Sequence, residues 1–95
     1  MPEVRFTIRW PDGHEESCYS PSTAIGRHLQ AGASYPLPDF LMRARAGLNE
    51  ASARVAAKYG FACSSAMDQL DRIEQRAALQ PITGQVACLA MSQHP

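Results

Sequence analysis

Ninety-five residues, 45% of them apolar, suffice for one hydrophobic core and little beyond it, so a single domain over residues 1–95 is expected. Nine basic residues offset nine acidic ones. That balance leaves no long-range basic field to draw in nucleic acid and no polybasic segment to hold a membrane surface. No apolar run approaches the roughly eighteen residues of a membrane span. The N-terminus has no signal-peptide pattern, so the three cysteines are expected as reduced thiols in the cytoplasm. A net charge near zero gives little colloidal repulsion and favours self-association, here as a homodimer.

In chain order, Val4, Phe6, Ile8 and Trp10 alternate with Arg5, Thr7 and Arg9, the pattern of a half-buried strand. Pro11-Asp12-Gly13 is a hairpin loop, and His14–Tyr19 is the returning strand. Pairing Trp10 with His14 sets Arg9 opposite Glu15, Phe6 opposite Cys18 and Arg5 opposite Tyr19. It also puts Glu16 beside Ile8 on the apolar face, a mismatch unless this end of the sheet stays open to water.

Ser20-Pro21 reads as a helix start, with Ser20 as the cap, and Gly32 as the helix end. Residues 33–37 read as a linker because Pro36 and Pro38 stop any helix from running through. From Pro38 to Tyr59, Phe40, Ala44, Leu48, Ala51, Val55 and Tyr59 recur at helical spacing. That is one long amphipathic rod, with Gly60 as its C-terminal cap. Met67, Leu70, Ile73 and Ala77 mark a further helix that Pro81 ends. Val86–Met91 suits a short buried strand. The expected fold is therefore α+β: a three-stranded antiparallel sheet, made of the N-terminal hairpin plus the C-terminal strand, covered by the long helix and one or two shorter ones in the order β-β-α-α-α-β.

Candidate chemistry is sparse. Cys63 precedes a helix N-terminus, where the dipole and free N–H groups stabilise a thiolate; a small buried hydrophobe turning a corner is the plainer reading. Cys18 is the second candidate thiol, in a strand. His14, His28 and His94 show no metal-ligand spacing, so no metal is expected; His14 with Cys18 is the pairing that strand geometry would permit. Gly26, Gly32, Gly47 and Gly60 are isolated and form no phosphate loop, and no G-x-S-x-G elbow exists, so no cofactor is expected and no catalytic set can be named. Trp10, Tyr19, Tyr59 and Phe61 fall at element ends and, with His28, are the candidate ligand or partner surface.

Four strings together carry a resemblance: Arg9-Trp10-Pro11-Asp12-Gly13, Cys18-Tyr19-Ser20-Pro21-Ser22-Thr23, Lys58-Tyr59-Gly60-Phe61-Ala62-Cys63-Ser64 and Asp68-Gln69-Leu70. Over residues 4 to 76 the chain resembles a family of small bacterial nitrogen-starvation response proteins, whose genes tend to cluster with a nitrilase, a radical S-adenosylmethionine protein and an acetyltransferase-like protein. The resemblance implies a cytoplasmic accessory to nitrogen scavenging, with an enzyme of the same gene cluster as a partner, and brings no catalytic residues with it. Two functions follow as expectations. One is a non-enzymatic regulatory module that binds a protein or small ligand. The other is a small thiol-dependent enzyme or ligand carrier using Cys63 or Cys18, helped by His14 or His28.

Overall fold

Alternation of apolar and charged residues puts Val4, Phe6 and Ile8 on one face of β1 (Glu3–Arg9), and all three are buried. The computed structural model describes residues 2–61 and 64–94. β1 pairs antiparallel with β2 (Glu15–Ser20) in the expected register, Arg9 opposite Glu15, Phe6 opposite Cys18 and Arg5 opposite Tyr19. Gly13 takes φ +90°, a conformation open to glycine, and Asp12 Oδ1 accepts the His14 N–H at 2.9 Å, which closes the loop.

The sheet has four strands, not three, in the order β2-β1-β4-β3. The additional strand is β3 (Ser34–Pro36), inside the stretch expected to be a linker. Pro36 and Pro38 do bar a helix here, but they do not bar a short edge strand. Pro36 ends an edge strand, where a missing N–H costs no ladder bond, while Tyr35 pairs with Val86. β4 (Gln85–His94) lies between β3 and β1, as the small apolar run Val86–Met91 predicts. Its register against β1 shifts between Thr7 and Ile8, so that Thr7 faces Ala90 and Ile8 faces Cys88, leaving Leu89 as the extra residue of a bulge.

The segment after β2 is a 3₁₀ helix, Thr23–Arg27, shorter than the helix expected there. Ser20 belongs to β2 and gives its hydroxyl proton to the Ser22 carbonyl at 2.9 Å; Ser22, not Ser20, is the cap, accepting the Ala24 N–H at 3.1 Å. The long rod is continuous: α1 runs Leu37–Tyr59, with Pro38 in its first turn and Gly60 at φ +84° closing it through a 2.8 Å bond to the Ala56 carbonyl. α2 (Ser64–Ala77) is the second helix.

Both helices cover one face of the sheet. The core joins Val4, Phe6, Ile8, Trp10 and Val86 of the sheet side to Phe40, Ala44 and Leu48 of α1 and to Leu70 and Ile73 of α2. Trp10 meets Phe40 edge to face, with centroids 5.6 Å apart and rings at 79°. Such a pair adds about 0.5–1.5 kcal/mol to the burial itself. On the opposite face Arg5, Arg9, Glu15, Ser17, Ala90 and Ser92 are exposed. No helix among the described residues is long and apolar enough to cross a membrane.

Candidate functional site

The Glu16 mismatch resolves at the β2–α2 seam. Trp10 is 1% exposed, and its indole N–H needs an acceptor. Glu16 Oε1 takes that proton at 3.2 Å and lies 3.8 Å from Arg76 Nε of α2. A carboxylate on the apolar face is thereby paired on both sides. Trp10 consequently belongs to the core rather than to an exposed aromatic group.

Two turns back along the same helix, Gln69 sits among the buried residues of α2, with Ala66, Leu70, Ile73 and Ala77, and is 6% exposed. Its Oε1 accepts the Tyr19 backbone N–H at 3.0 Å. A backbone donor fixes the amide orientation, because only the oxygen can accept. The Nε2 donors are therefore not used by Tyr19 and, among the described residues, are not stranded away from water. The seam holds two hollows, of about 480 and 240 Å³, that share Ser17, Gln69 and Arg72.

The smaller hollow is lined by Arg5, Ser17, Tyr19, Ser65, Asp68, Gln69 and Arg72. Arg5 lies over the Tyr19 ring, 5.2 Å from its centroid. Arg72 and Asp68, both exposed, make no ion pair among the described residues. The arrangement presents guanidinium donors, hydroxyls, an amide N–H pair and one carboxylate to the same small space. That set can hold a carboxylate on the arginine side and an amine on the Asp68 side. A larger groove of about 550 Å³ lies between α1 and the end of α2, lined mainly by Leu37, Pro38, Leu41, Ala77 and Ile82. Its charged residues, Arg45 and Glu74, already pair with each other, so it offers little polar recognition.

The candidate thiols fare differently. Cys18 and Cys88 are both buried and unpaired. Burial raises the pKa of each; for Cys18 the neighbouring Glu16 carboxylate adds to the rise. A thiol held protonated inside a core is a poor nucleophile. β1 separates the two, Cys18 lying opposite Phe6 and Cys88 opposite Ile8. Two strand spacings, roughly 10 Å, exceed what a disulfide spans. Cys63 lies outside the described residues.

His28 is half-buried at the end of the 3₁₀ helix, its Nε2 3.4 Å from Glu50 Oε1 and its carbonyl accepting from Arg43 Nη1 at 3.1 Å. Glu50 also pairs with Arg27. His28 thus ties the 3₁₀ helix to α1, well apart in the fold from the β2–α2 hollows. Tyr59 and Phe61 are exposed at the corner between the helices, with Lys58 Nζ 5.5 Å from the Tyr59 ring centroid. His14 is exposed at the hairpin, and no group of three or more His, Cys, Asp or Glu among the described residues is placed to hold a metal.

Of the residues singled out from sequence, only Tyr19 borders the polar hollow. Arg5, Asp68, Gln69 and Arg72 were missed as site residues. Gln69 left a signal: it lies three residues after Ala66 and four before Ile73, a polar side chain in the buried stripe.

No curated protein and no solved structure matches the chain. A family model, that of the nitrogen starvation-induced protein NitG, matches residues 5–91. It takes in both walls of the β2–α2 seam and continues through most of β4, beyond residue 76, where the resemblance of the sequence strings ends. The chain belongs to the NitG family of nitrogen starvation-induced proteins.

Proposed function

We propose that this NitG-family chain is a non-enzymatic accessory binding protein of the nitrogen-starvation response, working as a homodimer and holding a small amino-acid-like molecule in the β2–α2 hollow. The observation that carries the reading is Gln69 on the wall of the hollow: its amide oxygen is committed to β2, which leaves its water-accessible N–H donors for a ligand beside Arg72 and Asp68. A hollow of about 240 Å³ is smaller than the roughly 300–1,000 Å³ typical of ligand pockets, which suits a metabolite better than a large cofactor. The partner that the family resemblance implies is an enzyme of the same gene cluster, with Tyr59 and Phe61 as the exposed aromatic corner offered to it. The thiol-dependent alternative loses support at Cys18, whose burial pushes its thiol pKa up and so disfavours the thiolate.

Amide NMR spectra during titration with glutamine, glutamate and small amides test this reading. Shifts concentrated on Tyr19, Ser65, Gln69 and Arg72, and abolished by Arg72→Gln, are expected. Spectra unchanged at millimolar ligand across that panel would remove the ligand-binding claim.

A further inference from the structure

A β-sheet edge that is neither paired nor protected is a template for another strand, and the three edges of this sheet are treated unequally. β2 is guarded. It carries Glu15 and Glu16, an Arg9–Glu15 ion pair at 2.9 Å crosses its outer face, and Gln69 occupies its outward Tyr19 N–H. β3 is three residues long and ends in Pro36. The remaining edge is the distal half of β4. β3 covers only Gln85–Ala87, and the Gly32 and Ala33 backbones take up Cys88 through two 2.8 Å bonds. Beyond Cys88 and the bulged Leu89, residues 90–94 pair with β1 on one side and with nothing among the described residues on the other.

The ladder tells which backbone groups face outward. Trp10 N–H bonds to the His14 carbonyl, so every second residue of β1 back from Trp10 faces β2, and Arg5 and Thr7 face β4. Their partners Ser92 and Ala90 therefore turn their N–H and C=O inward. Met91 and Gln93 turn theirs outward. The Tyr19 N–H, free of β1 and taken by Gln69, agrees with this parity.

We propose that two copies of this chain join along the outer edge of Leu89–His94, antiparallel about a two-fold axis at Ser92, to make one continuous eight-stranded sheet. The proposal rests on the homodimer reading above and supplies its seam. In that register Met91 of one copy exchanges both backbone bonds with Gln93 of the other, and the reverse, so all outward groups of the segment are used. Ser92 meets its own copy across the axis, and Ala90 meets His94. The segment carries no Asp, Glu, Lys or Arg, so pairing with itself sets no like charges opposite each other, whereas the acidic start of β2 would be penalised in a self-pairing. The interface is isologous, as a closed two-fold requires. Met91, half-buried against the core, gains cover from the neighbouring strand.

The test uses Ser92→Cys in a Cys63→Ser background, with Gln93→Pro as a second variant. Directly opposed residues in a pair without mutual hydrogen bonds lie about 4.5 Å apart at Cα, within the reach of a disulfide, so Ser92→Cys is expected to cross-link to a dimer under mild oxidation. Gln93→Pro removes an outward donor from each copy without touching the bonds to β1. It is expected to weaken the dimer by roughly tenfold or more while the circular dichroism spectrum stays native. Ser17→Cys, on the guarded edge, is expected not to cross-link. A wild-type chain that is monomeric in light scattering overturns both the seam and the homodimer reading. A wild-type dimer in which Ser92→Cys fails to cross-link and Gln93→Pro changes nothing overturns the seam alone.

Discussion

The side-chain oxygen of Gln69 accepts the backbone N–H of Tyr19 at 3.0 Å, so α2 satisfies a donor that the sheet itself leaves unpaired. Replacing Gln69 by Leu keeps the volume and removes the acceptor. A loss of about 1–2 kcal/mol in urea unfolding is expected, the cost of stranding a partly buried backbone donor. Gln69→Glu retains an acceptor for Tyr19 and removes the Nε2 donors. It should therefore abolish the ligand-induced shifts of the NMR titration in a chain that remains folded.

The indole of Trp10 and the carboxylate of Glu16 form the second buried polar link of the seam, at 3.2 Å. Glu16→Ala is expected to cost about 1–3 kcal/mol, because the buried N–H loses its acceptor. Glu16→Gln keeps an acceptor and should cost less than half as much. The Arg76 contact at 3.8 Å is a partly exposed ion pair worth up to about 1 kcal/mol. Chemical denaturation of both variants separates hydrogen bond from charge.

Gly47 lies where the 3₁₀ helix presses on α1. A Cβ there would stand 2.5 Å from Ile25 Cδ1, 3.3 Å from His28 Cδ2 and 3.4 Å from Ile25 Cα. Alanine is the better helix former by about 1 kcal/mol, so an unhindered Gly→Ala change would stabilise. Here a net loss of about 1–3 kcal/mol is expected from the crowded contact. A thermal melt of Gly47→Ala reads the sign directly.

The thiols make stability depend on alkaline pH. In the folded chain Cys18 and Cys88 have pKa values above the ordinary 9.0, because burial penalises the thiolate. Unfolded thiols ionise at the ordinary value, so their contribution to stability is full below about pH 9 and is lost as pH rises above it. Unfolding free energy should fall more steeply above pH 9 in the wild type than in a Cys18→Ala, Cys88→Ala variant. Ellman's reagent should leave both thiols untouched in the native protein and label both in urea.

Period-two and helical patterns made the hairpin, its register, α1, α2 and β4 readable from the sequence, because each buries one face against the same core. β3 is hidden in the sequence, since three residues, the last of them a proline, give no periodic signal and Tyr35 finds its strand partner only across the chain at Val86. The 3₁₀ helix was mistaken for a longer one because Ser20 and Ser22 are equivalent as caps on sequence grounds, and only the ladder to β1 claims Ser20. The polar hollow was least legible. Arg5 and Arg72 look like ordinary solvated residues along a strand and a helix, and only the docking of α2 beside β2 puts them in one place.

The most direct measurement is growth under nitrogen starvation of the native host lacking this gene, complemented with matched levels of each variant. Wild type, Cys18→Ala and Cys63→Ser are expected to restore growth, whereas Asp68→Ala with Arg72→Ala is expected not to, although that variant folds. Growth restored by the Asp68, Arg72 double variant but lost with either cysteine would contradict the ligand-binding reading.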